Sequence, residues 1–213
     1  MPWDPLDALD AHQRGLLDAF RAELLRFNQR HNLISRETEA EFEERHLVHS
    51  LALTRKPFPA GSTVVDWGTG GGLPAIPLAI AFPEVTIHAV DAVGKKIQAV
   101  RAVARRLGLT NVHPWHGRAE AWPGAAGYSV SRATAPLADL WRWHRRAASP
   151  PSTPPAQTAW RPGLICLKGG DLTEEIAALR EEWGDLRVDI TPLEPLLGRP
   201  YFRDKKIVEV VDF

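Results

Sequence analysis

Residues 63–83, TVVDWGTGGGLPAIPLAIAFP, constrain this chain more than any other stretch, because their character changes twice, from strand to loop to helix. Thr63 to Trp67 is a β-branched and apolar run of the kind a buried parallel strand shows. It stops at Gly68, Gly70 and Gly72, and glycines at that spacing let the backbone approach a ligand closely. The following LPAIPLAIAF looks hostile to a helix because of Pro74 and Pro77. The first four N–H groups of any helix lack intrahelical partners, however, so proline costs little there. Strand, glycine turn and helix N-terminus together present free N–H groups and a dipole that attract an anionic ligand group.

Three details narrow the ligand. A dinucleotide fingerprint wants a third glycine at the sixth position for close helix–strand contact, and Leu73 stands there. A phosphate loop ends in Gly-Lys-Ser/Thr, and no such triplet follows. Asp66 sits two residues before the first glycine, where it either orients the turn or meets the ammonium of an amino-acid-like ligand. The combination suits S-adenosyl-L-methionine, whose methionyl end carries both charges; the alternative is a purely structural loop.

At 213 residues the chain can bury a sizeable core as one domain with an appendage. Lys plus Arg equals 26 and Asp plus Glu equals 26, so net charge argues neither for nor against a polyanionic partner. The single cysteine, Cys166, lies in the apolar run GLICLKG and reads as a buried strand thiol. The start, MPWDPLDALD, lacks both the basic region and the apolar core of a signal peptide, and no apolar run is long enough to span a membrane. A cytoplasmic protein, acting as a monomer without membrane association, is expected.

Apolar residues at helical spacing between 4 and 30 predict an amphipathic helix, and Glu37 to Arg55 a second one, ended by Lys56-Pro57-Phe58-Pro59. Residues 1–60 are therefore expected as a helical cap and 61–213 as the ligand-binding domain. Val85 to Val90 reads as the second strand, closed by Asp91, the place for an acid that accepts hydrogen bonds from ribose hydroxyls. Gly94 to Leu107 is helical and carries Lys95, Lys96, Arg101, Arg105 and Arg106 without one acid, a face that invites an anion.

A third strand, Asn111 to Trp115, leads to Glu120, which either takes the exocyclic amine of adenine or simply starts a helix. Tyr128 to Ser131 is a short fourth strand with Arg132 at its tip, on the same edge as the glycine turn. In the helix Pro136 to Ala147, Trp141 and Trp143 stand among arginines, a pattern that either binds nucleic acid or straddles core and surface. Residues 149–162 are proline-rich and predict an exposed insertion. Gly163 to Lys168 is the fifth strand, Leu172 to Trp183 a helix, and 187–190 with 206–212 a closing hairpin. The fold class is α/β, a doubly wound, mostly parallel sheet with ligands at the carboxyl strand tips. The eight histidines lack the companion ligands of a metal site, so no metal is expected, and no Ser-His-Asp or Cys-His arrangement is legible.

The segments FNQRHNLISR (27–36), DWGTGGGLPAIPLAI (66–80), VDAVGKK (90–96), GRAE (117–120), SRATAPL (131–137) and LKGG (167–170) resemble the bacterial 16S ribosomal RNA guanine-N7 methyltransferases, the glucose-inhibited-division protein B family. The resemblance implies a Rossmann-like class I methyltransferase with S-adenosylmethionine as donor and a guanosine in helix 18 of 16S rRNA, within the small ribosomal subunit, as acceptor. It places cofactor contacts on Gly68, Leu73, Ala119, Glu120 and Arg132, beside Asp66, Gly70, Gly72, Asp91 and Ala92 from the loop and strand tips. Arg132 would lie by the transferred methyl, and Lys168, Lys95, Lys96 and Arg36 would face the RNA. The chain departs from the family at Ala92, His49 and Gly127, where a serine and two acids are customary. Alternatives are a methyltransferase for another RNA or a small molecule, and a non-catalytic RNA-binding protein of the same fold; intact glycines, Asp91 and Glu120 speak against the latter.

Overall fold

The computed structural model describes residues 2–132, 134–150 and 155–212. Its strands are β1 (Thr63–Trp67), β2 (Thr86–Asp91), β3 (Val112–His116), β4 (Tyr128–Arg132), β5 (Gly163–Gly169), β6 (Leu186–Pro192) and β7 (Lys205–Asp212). They form one seven-stranded sheet in the order β3-β2-β1-β4-β5-β7-β6. The first five run parallel to one another, whereas β7 runs antiparallel to both β5 and β6. The helices are α1 (Ala11–His31), α2 (His49–Leu51), α3 (Ala75–Ala81), α4 (Gly94–Arg106), α5 (Leu137–Ala147), α6 (Thr173–Trp183) and α7 (Leu193–Leu197).

A strand buried on both faces needs an almost continuous apolar run, because successive side chains point to opposite sides. In β1, Val64 enters one core with Phe20, Ile76 and Tyr128, while Val65 and Trp67 enter the other with Trp122 and Trp141. Truncating a fully buried ring such as Trp67 to alanine would cost about 3–5 kcal/mol. The first core also takes Leu24, Val48 and Leu51 from the N-terminal helical segment, so that segment and the sheet share one interior.

The expected α/β architecture is present, with differences at its margins. The first helix begins at Ala11, not near residue 4, because Asp10 forms a capping box with Gln13. The second predicted helix is not continuous. A 3₁₀ turn at Arg36–Thr38 is followed by a π-helical stretch at Glu43–Val48, then α2, then another 3₁₀ turn at Ala52–Arg55. The C-terminal strands are joined through α7 and a 3₁₀ turn rather than a hairpin loop, and β7 inserts between β5 and β6.

The proline-rich segment expected as an exposed insertion lies in part, at 151–154, outside the described residues. Its far end returns to the interior, where Trp160 is 2% exposed and donates its indole N–H to the Leu53 carbonyl at 2.9 Å. No helix among the described residues is long and apolar enough to cross a membrane.

Candidate active site

Strand order reverses between β1 and β4, since β2 and β3 lie to one side of β1 and β5 to the other side of β4. In an open α/β sheet the crevice at the carboxyl ends of two such strands is the natural ligand site. A cleft of about 430 Å³ opens there. Gly68, Gly70, Leu73, Asp91, Glu120 and Arg132 line it, as do Ala92, Ala119 and Lys96.

The glycine turn is built by backbone bonds and by Asp91. Gly68 and Thr69 both donate to the Val90 carbonyl at 2.9 Å, which ties the tip of β1 to that of β2. Asp91 then accepts from the Gly70 N–H at 2.9 Å and from the Val93 N–H at 2.8 Å, one bond to each oxygen. A carboxylate oxygen has further acceptor capacity, so Asp91 can still receive hydroxyl donors from the cleft side. Gly68 must be glycine: its φ is +72°, and a Cβ there would run into Thr134. At Gly70 the nearest atom to a built Cβ is the Gly68 carbonyl oxygen at 4.0 Å, so that space belongs to the cleft.

Asp66 lies beneath this loop. It is fully buried, and its Oδ2 accepts from the Ala75 N–H at 3.2 Å, at the first turn of α3. Burial pushes its carboxyl up to about 7, against the hydrogen bond from the Ala75 N–H and the positive charge of Arg132. Asp66 does not line the cleft. Of its two expected roles, the geometry supports orienting the turn rather than meeting an ammonium group.

Arg132 leaves β4 and reaches back to the N-terminal segment, where Nη1 donates to His46 Nδ1 at 3.1 Å and to the Arg45 carbonyl at 3.3 Å. A guanidinium only donates, so His46 Nδ1 is the acceptor and the imidazole proton sits on Nε2. Nε2 meets Thr38 Oγ1 at 2.7 Å, and the Thr38 hydroxyl donates to the Ser35 carbonyl at 2.8 Å. Burial, with the charges of Arg132 and Arg45, pushes His46 down to about 4, which keeps it neutral.

Besides Asp66, four predicted site residues stand outside the cleft lining in different ways. Gly72 lies under the loop, with φ +89° and Ile76 Cγ1 2.7 Å from where a Cβ would stand, so it serves the turn and not a ligand. Lys168, expected against RNA, is only 7% exposed and is engaged internally by Glu175 at 2.7 Å and the Ala135 carbonyl at 2.6 Å. That corrects its placement: it braces the β5 tip against α6. Lys95 and Arg36 are exposed on the surface.

The sequence reading missed Leu33, Thr69, Thr134 and Trp143 as cleft residues, and His46 as the partner of Arg132. Leu33 lies within the FNQRHNLISR stretch, and His46 lies three residues before His49, one of the departures from the family pattern. Nothing in the local pattern marks Thr134. Trp143 was visible as an aromatic among basic residues, without a sign of which surface it meets.

A family model described as rRNA small subunit methyltransferase G, GidB, matches residues 13–186. The chain belongs to this family. The ribosomal RNA small subunit methyltransferase G of Salinibacter ruber is 61% identical over 211 residues, covering 99% of this chain and 98% of that protein. The protein of the same name from Bacteroides fragilis is 39% identical over 203 residues, covering 95% of this chain and 94% of that one. Among solved structures, the fold is similar to Aeropyrum pernix fibrillarin in complex with natively bound S-adenosyl-L-methionine, with a TM-score of 0.55 at 18% identity over 78% of this chain and 74% of that one. It is equally similar to a geranyl diphosphate methyltransferase in complex with GPP and sinefungin, with a TM-score of 0.56 at 13% identity over 77% of this chain and 76% of that one. Likeness at these identities is likeness of fold, and the methyltransferase G family assignment rests on the sequence relatives.

Proposed function

We propose that this chain transfers a methyl group from S-adenosylmethionine to N7 of a guanosine in helix 18 of 16S rRNA in the small ribosomal subunit, by direct transfer without a general base. The family assignment carries the coarser part, a methyltransferase that acts on small-subunit ribosomal RNA. The observation that supports the mechanism is the closed hydrogen bonding of His46: one nitrogen is taken by Arg132 and the other by Thr38, so neither is free to accept a substrate proton.

The residues of the cleft fit the cofactor. Asp91 stands at the second strand tip with remaining acceptor capacity, Glu120 offers a carboxylate further along the cleft, and Gly70 leaves room that any larger residue would fill. Bound there, S-adenosylmethionine supplies an electrophilic methyl group on a sulfonium centre. N7 of guanine carries no proton, so the protein has none to remove, and its task is to align the two partners. Fixing that alignment is assigned to Arg132 at the β4 tip, a reading supported by its bonds to the Arg45 carbonyl and His46 in the N-terminal segment.

Lys96 on the cleft rim, with exposed Lys95 and Arg36, is assigned to the RNA phosphates. The protein acts as a monomer in the cytoplasm, where such subunits are built. Incubation with methyl-labelled donor and small ribosomal subunits, followed by mapping of the modified base, tests the whole assignment. Label on N7 of a helix 18 guanosine supports it, and label on another base or atom overturns the acceptor.

A further inference from the structure

Trp143 lines the cleft, and its side chain hydrogen-bonds Glu120, a proposed cofactor contact. Its Nε1–H lies 3.1 Å from Glu120 Oε1, with the two residues far enough apart in the chain that only the fold brings them together. An indole N–H only donates and an ionised carboxylate only accepts, so the direction of this bond is fixed. The indole is itself held: it meets Trp67 edge-to-face, with centroids 6.1 Å apart at 64°. Trp67 is 1% exposed and is packed in turn against Trp122, at 5.5 Å and 83°. Glu120 lies in a short 3₁₀ turn, Ala119–Ala121, and is exposed, so without Trp143 its side chain would sample several rotamers.

We propose that Trp143 sets the base specificity of the cofactor site: by fixing Glu120 Oε1 it leaves Oε2 preset to accept from an exocyclic amine and to repel a ring carbonyl. The proposal rests on the reading of this cleft as the S-adenosylmethionine site and deepens it by naming what selects a 6-amino over a 6-oxo purine. A held carboxylate discriminates more sharply than a mobile one, because a mobile one can swing away from a carbonyl and avoid the unpaired contact. Trp143 acts through Glu120 and is a positioning residue.

The test is calorimetric titration of the full chain with S-adenosylhomocysteine and with its 6-oxo counterpart, S-inosylhomocysteine. Wild type should prefer the adenosyl ligand, and Trp143→Phe, which keeps an aromatic ring against Trp67, should narrow that preference by about five- to tenfold. Equal loss of affinity for both ligands, with the ratio unchanged, would mean that the ring is only a wall and overturns the proposal, as would unchanged affinity for both. Glu120→Gln leaves Trp143 and its packing in place, and survival of the wild-type preference in that variant overturns the proposal independently. Asp91→Ala separates this inference from the reading beneath it. If that change leaves both affinities intact, the cleft is not the cofactor site and both readings fall. Loss of binding in Asp91→Ala with a wild-type ratio in Trp143→Phe removes the Trp143 proposal alone.

Discussion

Arg132 and His46 meet at 3.1 Å, and this bond joins the tip of the fourth strand to the N-terminal helical segment. The two residues belong to different elements, and each is fixed by further bonds, Arg132 to the Arg45 carbonyl and His46 to Thr38. A long, flexible guanidinium is thereby held in one place beside the cleft, which is what alignment of a donor and an acceptor requires.

Replacing Arg132 with alanine should lower the single-turnover rate by about a hundredfold or more while the protein stays folded, since positioning and charge at the reacting centre are lost together. His46→Leu should lower it less, and His46→Gln, whose amide supplies both an acceptor and a donor, should restore part of the loss. Single-turnover methylation of small subunits with labelled donor, alongside thermal melts, checks the series. Full activity in Arg132→Ala would reduce the residue to a structural brace.

Gly70→Val should abolish donor binding without unfolding the chain. Gly70 has φ +57°, a region that costs a non-glycine residue about 1–2 kcal/mol, and valine would also fill the cleft. Titration calorimetry with S-adenosylmethionine measures it, and wild-type affinity in this variant would remove the glycine turn from the site.

Asp66 makes a prediction about stability. Its folded-state value is raised from 3.8 to about 7, so its favourable contribution is full below about pH 4 and is lost as pH rises through 7. Asp66→Asn should therefore be stabilised relative to wild type by an amount that grows from pH 4 to 7 and then levels off, on the order of a few kcal/mol. Buried His46 and His144, both pushed down to about 4, give the opposite slope, with stability lost as pH falls from 6.5 towards 4. They are common to both proteins and cancel in the difference. Urea unfolding of the pair across this range decides the point, and a constant difference would mean that Asp66 is not protonated at neutral pH.

With saturating donor, the proposed transfer to N7 predicts a single-turnover rate nearly flat between about pH 6 and 8.5, because N7 carries no proton to lose and His46 has no free nitrogen. Ionisation of Asp66 beneath the loop should appear in donor affinity and not in the saturated rate. A steep rise near neutrality that one substitution removes would indicate proton transfer and an acceptor other than N7.

Much of this molecule was decided by local pattern. The β1 span, the glycine turn, the run of basic residues on α4 and the strand-tip positions of Asp91 and Arg132 are all readable, because burial on both faces imposes an apolar run and sharp turns demand glycine. The start of α1 was readable too in hindsight, since Asp10 and Gln13 form a capping box. What only the tertiary structure decided are pairings between residues distant in the chain. Lys168 could have faced RNA until Glu175 took it, Asp66 could have met a ligand until the loop closed over it, and nothing near Trp143 announces Glu120. Likewise β7 is buried at five consecutive residues from Ile207 to Val211, and only the sheet order places it between β5 and β6. Periodicity records which side of an element is buried, whereas the identity of the partner across a gap depends on distances that no local pattern contains.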